Sequence, residues 1–131
     1  MKLECNCKNI SIDWLRTEGP LHSRICSCDY CQSQKAEYVS EPDSTFSFVV
    51  NDMAQHKMVK HGHKTASFHE CKNCGLAFVS CRIDGVLYGI LNAKVMGIEN
   101  CILEPEPRDY SGEIVENRLA RRKQNWCRVN S

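Results

Sequence analysis

At 131 residues the chain is long enough for one small domain with a modest core, and its formal charge of +1 excludes a protein built around polyanions. No apolar run approaches the roughly 18 residues that mark a membrane span. The anomaly is ten cysteines, which in so short a chain mean a disulfide scaffold or metal ligation in a reducing compartment.

Two features favour metal. The start, Met1-Lys2-Leu3-Glu4-Cys5, lacks the apolar stretch of a secretory signal, so the expected compartment is the cytoplasm, where thiols stay reduced. Cys5 and Cys7 are also too close together for two disulfides to leave them without crowding. Seven thiolates holding two divalent ions would bring the formal charge slightly below zero, so general nucleic-acid affinity is not expected.

In chain order, Ile10 to Trp14 alternates apolar and polar residues, the period of a half-buried strand, and Gly19-Pro20 breaks it. Arg24-Ile25 leads into Cys26-Ser27-Cys28-Asp29-Tyr30-Cys31. A polar stretch from Gln32 to Lys35, a short apolar run at Tyr38-Val39 and a turn at Glu41-Pro42-Asp43 precede a second strand, Thr45 to Val50. Met53 to His63 carries His56, His61 and His63 and reads as a solvated loop or edge strand, with Gly62 in a turn.

Phe68-His69-Glu70-Cys71-Lys72-Asn73-Cys74-Gly75 has the form of a zinc-ribbon knuckle, in which Gly takes a positive φ so that backbone amides can point at sulfur. Leu76 to Ile83 and Val86 to Ala93 form a predicted hairpin around Asp84-Gly85, a type I′ turn signal. Pro105 and Pro107 interrupt the chain, and Glu113 to Gln124 reads as a short helix with Ser111 as its N-cap. Arg121, Arg122 and Lys123 suit the negative end of the helix dipole, and with Arg118 they read as a solvated helix end rather than a nucleic-acid patch. The expected fold class is mainly β with a short C-terminal helix: one domain over 1–131, with a core of 1–104 and a C-terminal extension of 105–131.

The cysteines fall in the order pair, triplet, pair. Cys5, Cys7, Cys71 and Cys74 add to four thiolates, a closed tetrahedral zinc site that would join the N-terminal strand to the hairpin. Cys26, Cys28 and Cys31 supply three, so the triplet is either completed by a distant group or open to a substrate atom, the arrangement of a catalytic zinc. His22, His69 and Cys101 are the candidates for a fourth group, whereas Cys81 reads as a small core residue and Cys127 is assigned to no site.

This arrangement, C-x-C, then C-x-C-x2-C, then F-x2-C-x2-C-G, resembles the glutathione-dependent formaldehyde-activating enzyme family, which includes the centromere protein V-like proteins. The resemblance covers residues 5 to about 100. It implies an Mss4-like fold of coiled antiparallel sheets stapled by zinc. Cys5, Cys7, Cys71 and Cys74 would hold a structural zinc, and Cys26, Cys28 and Cys31 a catalytic one.

The implied activity is that of a carbon–sulfur lyase that joins glutathione and formaldehyde into S-hydroxymethylglutathione. Partners would be a small thiol and an aldehyde, with no membrane and no nucleic acid. Where the family places Gly after C-x-C this chain has Lys8-Asn9, with Asn9 expected to take the turn. Gln32 replaces a basic residue after the triplet, and Leu76 follows Gly75 where Thr is usual. These departures touch no metal ligand and fall where substrate choice would lie. The alternative reading is a non-catalytic zinc-binding Mss4-like module for protein interaction, with an exposed apolar patch on its sheet.

Overall fold

The computed structural model describes residues 1–16, 19–60, 64–98 and 102–130. The expectations placed on His61, Gly62, His63 and Cys101 lie outside these. The described chain is mainly β, and none of its helices is long and apolar enough to cross a membrane.

Strands β1 (Lys2–Glu4), β2 (Ile10–Leu15) and β3 (Leu21–Cys26) precede a short helix α1 (Asp29–Ser33) and the two-residue strand β4 (Tyr38–Val39). Strand β5 (Thr45–Val50) keeps the bounds its alternation predicts. The ambiguous stretch after it resolves into a 3-10 turn at Met53–Gln55 and strand β6 (His56–Val59). Strand β7 (Ser67–Cys71) leads into the hairpin of β8 (Gly75–Ile83) and β9 (Val86–Asn92). Its turn is built as the sequence requires, with φ of 52° at Asp84 and 81° at Gly85. The predicted return strand ends one residue early, because Asn92 caps the short helix α2 (Ala93–Met96). The chain closes with β10 (Ile102–Arg108), α3 (Val115–Asn125) and β11 (Cys127–Asn130).

Strands β1, β3 and β7 were not predicted, nor were the two at the end of the chain. Pro105 and Pro107 argue against a strand, yet β10 forms as an outer strand parallel to β3, the position where proline's missing N–H does least harm. Residues Cys127 to Asn130 are too few to show a period, yet β11 enters the sheet between β5 and β9, parallel to the first and antiparallel to the second. The stretch set apart as an extension is therefore woven into the sheet. Two local expectations are also corrected. Lys8, with φ of 66°, takes the left-handed turn rather than Asn9, whose side chain instead exchanges hydrogen bonds with the backbone of Asp52. Ser111 does not cap α3, since Ile114 occupies that position without a side-chain bond and the Ser111 N–H donates to Asp109.

Strand β9 holds the fold together. One edge pairs along its length with β8, and the other is divided, taking β11 at Tyr88 and Gly89 and β4 at Leu91 and Asn92. From β11 the order runs through β5 and β2 to β1; from β4 it runs through β3 to β10. The hairpin thus lies between two cores. Phe78 and Leu91 face one, with Trp14, Phe46 and Val39, while Val79 and Ile90 face the other, with Tyr38, Phe68 and Trp126. Burial on both faces explains why β8 reads as a near-continuous apolar run, Leu76 to Cys81, rather than an alternation.

Gly89 is needed where the three strands meet. A Cβ there would lie 2.6 Å from both Phe46 Cζ and Val129 Cγ2, groups held by β5 and β11. Gly89→Ala is expected to destabilise the fold by about 1–3 kcal/mol through overpacking, read as a lower denaturant midpoint at unchanged slope; an unchanged midpoint would mean that β11 does not close over β9.

Candidate metal centre

The sequence expectations converge on two sulfur clusters. Cys5, Cys7, Cys71 and Cys74 bring their Sγ atoms within 4.8 Å of one another, and so, separately, do Cys26, Cys28 and Cys31. The cysteines described are unbridged.

In the first cluster, Cys5 and Cys7 Sγ are 3.7 Å apart, and Cys7 and Cys71 Sγ are 3.4 Å apart. Both spacings far exceed the disulfide bond length and approach the edge of about 3.8 Å that four sulfurs have around one tetrahedral ion. Two turns set the geometry. The Lys8 N–H donates to Cys5 O, and the Ile10 N–H donates to Cys5 Sγ at 3.4 Å. Across the cluster, Gly75 at φ of 102° ends the second turn, and the Cys7 N–H donates to Cys74 Sγ at 3.3 Å. Hydrogen bonds from the Asn9 backbone and Cys71 hold the exposed Cys7 thiol at about 6, whereas burial raises Cys74 to about 12. Four soft donors with amides aimed at sulfur suit a thiophilic divalent ion.

The triplet spans the end of β3 and the start of α1. Cys28 caps that helix, its Sγ accepting from the Cys31 N–H at 3.4 Å, so the cap turn itself brings Cys28 and Cys31 to one point. Cys31 is buried and meets the Tyr38 hydroxyl at 3.0 Å. A hydrogen bond from Cys31 pulls the Cys26 thiol down, and the same bond, with burial, pushes Cys31 up, so the pair is set to share one proton. A thiophilic ion can take the place of that shared proton. Among the described residues no His, Asp or Glu joins the three sulfurs. His22 is exposed on β3, and His69 is buried elsewhere, between His56 at 3.1 Å and Ser80 at 2.9 Å.

The clusters are mechanically linked. Tyr30, between two triplet cysteines, donates to Glu70 at 2.6 Å, and Gln34 accepts from the Leu76 N–H at 3.1 Å. Helix α1 is thus docked on the turn that carries Cys71 and Cys74.

All three triplet cysteines border a cavity of about 340 Å³. Its apolar floor comes from Phe68, Val79 and Ile90, and its far wall from Tyr110, Arg118, Arg121, Arg122 and Trp126. The backbone bond from Ser27 N–H to Arg108 O steers this wall past the triplet. The arginines are not the solvated helix end that the sequence suggested. Arg121 binds both oxygens of Glu113 and lies 3.7 Å over the Tyr110 ring; Arg122 is buried, bonded to Thr65, with its guanidinium over Trp126. The Arg121 pair holds the Glu113 carboxyl below its ordinary range. Cys81 is buried as expected, but it also accepts from Arg122.

No protein-family model and no curated protein matches the chain. Among solved structures the chain is similar to a Rhodobacter sphaeroides protein determined by structural genomics, with 22% identity, a TM-score of 0.59, and coverage of 76% of this chain and 91% of the other. At that identity the likeness concerns the fold.

The Tyr38 hydroxyl holds Cys31 from behind. Tyr38→Phe removes that bond with little change in volume, and the affinity of the triplet for added zinc, measured by chelator competition, is expected to fall about 10–100-fold. Unchanged affinity would show that the contact does not position the sulfur.

Proposed function

We propose that the chain is a zinc-dependent carbon–sulfur lyase acting on a thiol–aldehyde adduct. The observation that carries this reading is the meeting of a three-sulfur cluster with a cavity of ligand size. Cys5, Cys7, Cys71 and Cys74 would hold a structural zinc, and Cys26, Cys28 and Cys31 a second zinc facing the cavity. Such an ion supplies Lewis acidity, which favours a thiolate at neutral pH and polarises an aldehyde oxygen.

The reaction balances without an external reagent. In the joining direction the thiol sulfur bonds to the aldehyde carbon, and the S–H proton ends on the former carbonyl oxygen; cleavage reverses both changes. The chain positions and desolvates the reactants. Phe68, Val79 and Ile90 exclude water from the floor, and Tyr38 donates to Cys31, its own proton held firmly by burial. The resemblance to the formaldehyde-activating family supplies one example of such an adduct, S-hydroxymethylglutathione, formed from glutathione and formaldehyde, and the cytoplasm as the compartment.

The alternative, a non-catalytic interaction module, calls for an apolar patch on the sheet. On the outward face of β2 and β5, Leu15 and Val49 are exposed at opposite ends, with Asp13 and Ser47 paired between them. That face is therefore not a continuous patch, and the cavity fits a small molecule better.

Protein purified under reducing conditions is expected to carry two zinc ions per chain, and Cys28→Ser one, with its thermal unfolding profile retained. Wild type should accelerate exchange between formaldehyde and its thiol adduct in magnetisation-transfer NMR, and Cys28→Ser should not. One zinc in both proteins, or no acceleration with any thiol, would remove the lyase reading.

A further inference from the structure

Resting on that reading, we infer that the cavity selects a small thiol carrying a carboxylate and no ammonium group, its anionic head held by Arg24, Arg118, Arg122 and Trp126. Nε of Arg24 and Arg122 and Nε1 of Trp126 are buried without a protein hydrogen-bond partner among the described residues, Arg118 Nε faces Glu113 Oε1 at 3.4 Å, and all four residues line the cavity. A buried donor left without an acceptor is destabilising, so three of them beside one space mark a donor-rich wall that favours a ligand carrying acceptors. Arg122 and Trp126 are each only 6% exposed, so these are built positions rather than mobile surface groups.

The charge balance points the same way. Among the described residues no carboxylate pairs with Arg24 or Arg122. Glu113 is shared between Arg118, at 3.4 Å, and Arg121, at 3.0 Å. Asp109 is turned to Ser27 and Ser111 at the rim. Three thiolates around a divalent ion carry one negative charge. Even with that charge, Glu113 and Asp109 counted against the four arginines, the wall remains positive. Among the described residues no acidic side chain borders the cavity. An ammonium group would therefore enter unpaired beside guanidinium groups, which disfavours glutathione with its γ-glutamyl amine. A hydrocarbon body, by contrast, fits the Phe68, Val79 and Ile90 floor.

The test is calorimetry on zinc-loaded protein with mercaptopropionate, mercaptoethanol and cysteamine, alike in size but anionic, neutral and cationic. Mercaptopropionate is expected to bind at least about tenfold tighter than mercaptoethanol, with cysteamine weakest, as charge complementarity at a desolvated site predicts. The preference should collapse in Arg24→Met and in Arg118→Gln, each checked for an unchanged unfolding midpoint, and return in part in Arg24→Lys. Binding no tighter for mercaptopropionate than for mercaptoethanol, or a preference that survives both substitutions, overturns the inference. Phenylpropionate against phenylpropanol repeats the comparison without sulfur. A preference there, with no turnover of any adduct, keeps the anion site and removes the lyase; turnover indifferent to the charge of the thiol does the reverse.

Discussion

The divided edge of β9 is the constraint on which the rest of this structure depends. A central strand must satisfy its backbone N–H and C=O groups on both sides, and no single neighbour covers the outer edge of β9. Two short strands do so instead, β11 and then β4, and the fully buried side chain of Asn92 secures the end of that edge. Its Oδ1 accepts from the Glu37 and Lys94 N–H groups, and its Nδ2 donates to Leu76 O. One amide therefore ties β8, the approach to β4 and the start of α2. Because the edge divides, the sheet continues in two directions, and the short strand β4 contributes to both cores, Val39 to one and Tyr38 to the other.

That division places the cavity. The β11 branch carries Trp14 and Phe46 to one core, and the β4 branch carries Tyr38 and the triplet to the other. Only the second core is bordered by the chain between β10 and β11. Because β10 runs parallel to β3, it leaves the sheet beside Ser27, and α3 must then cross the second core to deliver β11 to its place. Topology thus sets arginines and a tryptophan opposite three thiols that lie about ninety residues earlier in the sequence.

What the sequence made legible follows from how local each signal is. Strand β5 and the β8–β9 hairpin were readable because alternation and the Asp84-Gly85 turn are written in neighbouring residues. The cysteine clusters were readable because spacing encodes them. Strands β10 and β11 were not, since the first is marked by prolines and held by its parallel partner, and the second is four residues long. The arginines of α3 were misread for a related reason. Basic residues in a last turn satisfy the helix dipole, which is reason enough for their presence on a solvated helix. The contrary signal was Trp126 four positions after Arg122, a ring within reach of that guanidinium.

The two halves of the site therefore carry different information. Seven cysteines in fixed spacing specify what the clusters can hold, and they would do so above any cavity wall. The residues from 108 to 126 specify what can approach. Arg118 shows the division: its charge helps to pull the Cys26 thiol down, yet it also faces Glu113 at 3.4 Å and lines the cavity. If the arginines served only to balance thiolate charge, long flexible side chains reaching the sulfurs would suffice, and a buried Trp126 N–H without a partner among the described residues would have no part in it. A tryptophan donor beside guanidinium groups instead describes a surface with shape as well as charge, one that recognises oxygen acceptors at the end of an apolar molecule. Under the proposed function, ligand choice therefore rests with Arg24 and the last quarter of the chain rather than with the cysteines.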